Sequence, residues 1–366
     1  MKQIVLKLLE NYRRLLFACH GYTSNGVMPR GVPCNVEDPT IETTHGDVVH
    51  PCVRYIEEGF EGHQWWMVYT PYYAENNKLE NPRLFYADAP NGAPPTEWKF
   101  YSNIVNTPET GYNSDPTLFF KDGQLYVFWR ECLTTRAKEL GYSMLTVGCR
   151  VHEHQVTYMN EPILMESSTF TDKEVCPTFI ANGEDYRAYS LHMGWHPDFI
   201  YHIPPKIGSL LFRYKIIYIL DALGLCDLTK SFGVAIWNSG FLEHSFTYLQ
   251  TVQFENMPKL YQPWHMDLFK SSLVGDSTIY AVVQSRQRHA RICLAKSVDG
   301  EQFCFYHKPL LTSKNIGMIG LYKPTALQVG SNLYLYYTVL DNKDDNLHRL
   351  FVSSMNWEDV LCKLSK

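Results

Sequence analysis

Five short segments of this 366-residue chain repeat one arrangement. They are His50-Pro51-Cys52-Val53, Asp115-Pro116-Thr117-Leu118, Cys176-Pro177-Thr178-Phe179, His265-Met266-Asp267-Leu268 and Lys323-Pro324-Thr325-Ala326. Each sets a polar or reactive residue just before a short apolar run, with proline between in four cases. A turn and an aromatic-rich run follow. Self-similarity at such a period marks stacked or radial architecture. The starts near 50, 115, 176, 265 and 323 lie 65, 61, 89 and 58 residues apart.

Each repeat reads as four strands. In the second, residues 117–120 are followed by Asp122-Gly123, a strong hairpin signal, then by strands at 124–129, 141–146 and 155–164. The fifth turns at Gly330-Ser331-Asn332 and the third at Asn182-Gly183. The first has a strand at 53–56, a longer turn, and a strand at 65–70. The long third interval holds surplus residues, about 193–231, read as an insertion between that repeat's second and third strands, with a helix at 216–223. Radial four-stranded units form a β-propeller, which leaves only short protected edges. The chain is therefore expected to be all-β: a five-bladed propeller of four-stranded antiparallel blades over residues 50–366. Residues 1–49 form an extension that packs on the ring or closes it, and spacing from Val5 to Leu16 fits an amphipathic helix. First strands line the central channel, so the five starts converge on one funnel.

Composition narrows the partners. Charged residues are 19% of the chain, below the usual ~25%, and the net charge is only -5. That gives no electrostatic case for nucleic acid or an anionic membrane. The longest apolar stretch, 210–225, is broken by Arg213, Lys215 and Asp221, so no membrane span is expected. The N-terminus, interrupted by Lys7, Glu10, Arg13 and Arg14, is a poor secretory signal. Ten cysteines without CxxC pairs read as reduced thiols, and a cytoplasmic location is expected. The 25 tyrosines and 8 tryptophans suit both strands and sugar-stacking surfaces.

The strand starts resemble those of the five-bladed propeller glycoside hydrolases, the family 43/32-like arabinanases, xylosidases and invertases. Ser114-Asp115-Pro116 matches the second-blade motif and Glu174-Val175-Cys176-Pro177 the third, while His50-Pro51 replaces the first-blade Asp-Pro. Stretches such as Glu80-Asn81-Pro82, Gly111-Tyr112-Asn113-Ser114-Asp115-Pro116 and Gln262-Pro263-Trp264-His265-Met266-Asp267 also look like a branch of bacterial and phage propellers. The resemblance implies a glycan in the central funnel and a hydrolase with acid and base carboxylates, because hydrolysis needs two carboxyls flanking the bond, one protonated and one ionised. It implies Glu174 as general acid and Asp115 as the carboxylate that orients the sugar; with the blade-one carboxylate replaced, His50 or Asp267 is expected to take the base's task.

Each residue also has a plainer reading. Asp115 can cap a turn beside Pro116. Glu174 stands three residues before Pro177 rather than two, which turns it to the other face unless a bulge restores the register. His50 can bind substrate or a neighbouring carbonyl, and Asp47 can replace the missing carboxylate or be a loop residue. His265 and Asp267 share one side of an extended strand. Lys323 can pair with Asp115 or Glu174, or recognise an acidic sugar. Glu80, Glu131 and Arg286 read first as structural ion pairs that could reach the funnel. Trp65, Trp66, Tyr72, Tyr112, Trp129 and Trp264 are core or stacking residues. The substrate-binding set is His265, Lys323, Trp264, Tyr112, Cys176 and Arg286, and the partner an oligosaccharide or polysaccharide. Gathered on the axis, His50, Cys176 and His265 would have zinc chemistry, but no local ligand motif accompanies them, and neither cofactor nor metal is expected. Two alternatives stay open: a glycan-binding propeller without the blade-one carboxylate, and a protein-interaction scaffold.

Overall fold

The computed structural model describes residues 25–41, 47–72, 76–89, 93–165, 173–193, 232–258, 261–271, 277–285, 290–316, 320–341 and 347–365, with isolated positions 11, 15, 19 and 216. They form five small sheets, each paired in chain order from the inside outward except for the outermost strands Val32–Pro33, Asn35–Glu37 and Gln253–Glu255, which come from earlier in the chain. The inner strands are Val48–Phe60, Tyr112–Lys121, Lys173–Asn182, Pro263–Lys270 and Gly320–Val329. The chain is a five-bladed β-propeller. The first blade differs from expectation in one detail. Its inner strand continues to Phe60, and the next begins at His63 after a two-residue turn at Glu61-Gly62. In blade three the second strand ends at Met193 and the third begins at Phe232, with the two paired antiparallel. The surplus segment between them, with its expected helix, lies outside the described residues.

The strands read as near-continuous apolar runs because each blade is buried on both faces. Five hydrophobic clusters follow, one at each junction between neighbouring blades. Trp66, Leu118 and Trp129 belong to the junction of blades one and two, Phe119, Phe128 and Phe179 to that of two and three, and Tyr189, Leu268 and Phe303 to that of three and four. Tyr280, Leu335 and the C-terminal helix Trp357–Ser365 fill the fourth. Trp65, Tyr334 and Tyr336 close the ring between five and one.

Residues 26–37 run across the outer edges of three blades. The Val27 and Met28 N–H groups donate to Pro309 and Leu310 carbonyls of blade four. Val32–Pro33 pairs antiparallel with the third strand of blade five, and Asn35–Glu37 pairs parallel with the outer strand of blade one. This covers sheet edges that would otherwise stand open. The approach is close: a Cβ on Gly31 would lie 2.5 Å from the Val352 carbonyl oxygen. Gly31→Val is therefore expected to destabilise the ring by about 1–3 kcal/mol through overpacking, read as a lower midpoint in denaturant. An unchanged midpoint would mean that this lacing contributes nothing. Trp65, Trp66 and Trp129 lie in the core. The N-terminal helix expected before residue 17 falls outside the described residues, isolated positions aside.

Candidate functional site

Each inner strand carries a β-bulge where it enters the funnel. Register shifts occur between Val49 and Cys52, Ser114 and Thr117, Val175 and Thr178, Pro263 and His265, and Tyr322 and Thr325. In four blades the bulge consists of the repeated residue and its proline. His50, Asp115, Cys176 and Lys323 there adopt left-handed backbone, with φ of 54°, 51°, 54° and 37°. A residue preceding proline ordinarily stays extended, and a non-glycine residue in this region costs of order 1–3 kcal/mol. Packing between blades holds the strain in place. Blade four has Met266 instead of proline, and its bulge comes one residue earlier, at Trp264.

The bulges open onto one cavity of about 430 Å³. Among its lining residues are His50, Glu80, Tyr112, Asp115, Arg130, Cys176, Trp264, His265 and Tyr322. His50, Asp115, Cys176, His265, Trp264 and Tyr112 therefore meet there, as does Tyr72. Lys323 is buried beside this wall and donates its backbone N–H to Gln284 Oε1 at 2.9 Å.

His50 sits at the centre of the polar contacts. Its Nε2 lies 3.0 Å from Asp115 Oδ1 and 2.9 Å from the Tyr322 hydroxyl. Its Nδ1 lies 3.1 Å from Thr70 Oγ1 and 3.8 Å from Glu80 Oε2. Arg130 Nη2 holds the other Asp115 oxygen at 2.8 Å. Burial alone would raise the Asp115 carboxyl, but Arg130, His50 and Lys323 outweigh it and hold the group well below the usual carboxylate range. Glu80 behaves oppositely. Burial raises its carboxyl and the Asp115 charge adds to the rise, against partial relief from His50 and a Ser114 hydroxyl that hydrogen-bonds its Oε2. Two carboxyls on one cavity wall are thus driven apart, one toward the acid and one toward the ion, the pattern that divides acid from base. Beside them Cys176 Sγ lies 2.8 Å from His265 Nδ1. Burial pushes the Cys176 thiol up, and neighbouring Asp115 pushes further. Burial, then Lys323, drives the His265 imidazole down. Both are neutral.

Glu80 reaches the funnel from outside the repeat. It ends a 3-10 turn, Asn77–Leu79, between the second and third strands of blade one, and Asn76 caps that turn by accepting from the Lys78 N–H. The next residue, Asn81, accepts from Asn113 Nδ2 of blade two at 2.9 Å. The Glu80-Asn81-Pro82 stretch was the available sequence signal. Glu131, by contrast, accepts from Thr134 Oγ1 at 3.1 Å and lies 3.7 Å from Arg136 Nη1, a structural role.

Two base candidates sit elsewhere. Asp267 does face the axis, but one pleat deeper than His265 and beneath the cavity. Arg54 grips it at 2.7 and 3.0 Å, while Thr325 and Thr178 donate at 2.6 and 2.9 Å. Its lone pairs are committed, so it is a structural anchor rather than a base. Asp47 accepts from the His348 N–H at 2.6 Å and does not line the cavity. Glu174 lies opposite His192, just before the blade-three bulge; its side chain, like all of Arg286, falls outside the described residues.

No family model and no curated protein sequence matches the chain. Solved structures do. An N-acetylgalactosamine deacetylase from F. plautii, in complex with blood group B trisaccharide, superposes with a TM-score of 0.65 over 93% of this chain and 97% of its own, at 13% identity. A GH43 β-xylosidase/α-arabinofuranosidase from a compost metagenome, in complex with xylotriose, gives 0.55 over 90% and 94% at 12%. A mutant of the Cellvibrio cellulosa α-L-arabinanase gives 0.53 over 85% and 92% at 10%. The likeness is one of fold: the chain shares the five-bladed β-propeller of these enzymes. Among the described residues, no helix is long and apolar enough to cross a membrane.

Proposed function

We propose that the funnel binds a glycan and hydrolyses a glycosidic bond in it, with Glu80 as proton donor and the His50–Asp115 pair on the water-activating side. The observation that carries this reading is the convergence of Glu80, His50 and Asp115 on one cavity wall. Tyr72, Tyr112 and Trp264 in the same lining supply faces on which sugar rings stack. The opposed drift of the two carboxyls suits a bond flanked by an acid and an ion. Structures that share the fold include an N-acetylgalactosamine deacetylase, an arabinanase and a xylosidase, which points to the same substrate class. Asp115 keeps the second-blade carboxylate of the resemblance. Glu80 takes the place there assigned to Glu174, because its residue lines the cavity and burial raises its carboxyl.

A second reading, glycan binding without turnover, is favoured by His50 standing where the related hydrolases have a carboxylate. Binding on a glycan array and release of phenol from aryl glycosides separate the two. The expected result is turnover by wild type, with binding kept but turnover lost in Glu80→Gln and Asp115→Asn. Loss in Glu174→Gln with Glu80→Gln unaffected would return the acid's role to blade three. Binding with no turnover in wild type would establish the second reading.

A further inference from the structure

We propose that Asp115, Cys176 and His265 form a site for one divalent cation of the zinc class at the floor of the funnel. It stands apart from the glycan reading, since occupancy is measured without substrate.

The three residues come from blades two, three and four. Each offers one ligand atom, and these atoms lie within 4.8 Å of one another. All three residues are buried, at 2%, 3% and 1% exposure. No short sequence motif joins them because the fold delivers them: Asp115 and Cys176 stand in the bulges of their strands, and His265 directly follows the bulge at Trp264. The rigidity that a metal site needs therefore comes from backbone geometry.

The donor set selects the ion. A thiol, an imidazole and a carboxylate together suit zinc and its neighbours and do not suit calcium or magnesium, which take oxygen. Three protein ligands with the fourth position facing a cavity is the arrangement of catalytic rather than structural zinc. His265 Nδ1 already meets Cys176 Sγ at 2.8 Å, so the nitrogen that the imidazole offers to the ion is Nε2.

A second observation points to a ligand. His265 Nε2 is buried and has no hydrogen-bond partner. An imidazole so enclosed normally has both nitrogens occupied. The outer contacts of a metal site are also present: Asp115 is oriented by Arg130 at 2.8 Å and His50 at 3.0 Å, and such partners normally fix a ligand's direction. Arg130 and Lys323 act on the same cluster and oppose a dication. The Cys176 thiolate is then needed to balance charge, so affinity should depend steeply on it.

The test uses the reduced, chelator-treated full-length chain titrated with cobalt(II) without oxygen. The expected result is one equivalent bound, with sulfur-to-cobalt charge-transfer absorption in the near ultraviolet that zinc displaces. Cys176→Ser should abolish that band. His265→Gln and Asp115→Asn should keep it while weakening binding by about tenfold or more. Cys149→Ser, in the core between blades one and two, should change nothing. Absence of the band in folded wild type overturns the proposal whatever the variants do. So does a band that survives Cys176→Ser, or one that vanishes in Cys362→Ser, which would mark an exposed thiol. Should Cys176→Ser fail to fold, unchanged affinity in both His265→Gln and Asp115→Asn overturns it equally.

Discussion

Asp267→Ala is expected to lower the stability of the ring by about 3–5 kcal/mol, the usual cost of breaking a buried ion pair from one side. The substitution leaves the Arg54 guanidinium in the channel without its carboxylate. It also orphans Thr178 and Thr325, whose hydroxyls donate to the same two oxygens, and an unsatisfied buried donor adds its own desolvation cost. The effect spreads because Asp267 of blade four ties to blades one, three and five at once. The midpoint of urea unfolding should fall with an unchanged slope. Asp267→Asn, which keeps the shape and one acceptor oxygen, should fall less. A loss below about 1 kcal/mol for the alanine variant would mean that solvent reaches Arg54 and that the four-blade anchor is not a closed one.

Glu80→Gln is expected to lower kcat by about 10²–10⁴, the range for loss of a positioned general acid. Burial raises the Glu80 carboxyl, so its proton persists to higher pH than an ordinary glutamate's. The donor is needed in its protonated form. Wild-type rate should therefore fall as pH rises through that elevated value, and the alkaline limb should vanish from the residual rate of Glu80→Gln. Leaving-group dependence supplies a check that a merely structural role would not move. A substrate with an acidic phenol departs without a proton, so the deficit should shrink toward unity for it and stay large for an alkyl glycoside. Equal deficits for both would remove Glu80 from the role of acid.

The sequence shows the ring and most of the funnel for one reason. A polar residue followed by proline at the head of an apolar run is a local signal, and it recurs. His50, Asp115, Cys176 and His265 could be found together because the fold places equivalent strand heads around an axis. Depth along a strand was less legible. His265 and Asp267 share a side, yet two residues move the carboxylate one pleat down into the grip of Arg54, and nothing in the local pattern marks how deep the cavity floor lies. Glu80 was harder still. It belongs to a connection between strands rather than to the repeat, and it matters only because Asn81 meets Asn113 across a blade boundary. Lacing by residues 26–37 was open for a related reason: two- and three-residue strands carry no periodicity to read.

The left-handed pre-proline turns have a further consequence. Where a side chain points at these four places is decided by torsion angles and a pyrrolidine ring, not by what the side chain is. Histidine, aspartate, cysteine and lysine occupy geometrically equivalent sockets, so reagents can be exchanged one at a time without re-aiming the rest. A scaffold built this way separates the question of position from that of reactivity, and related rings can diverge in chemistry while their backbones still superpose.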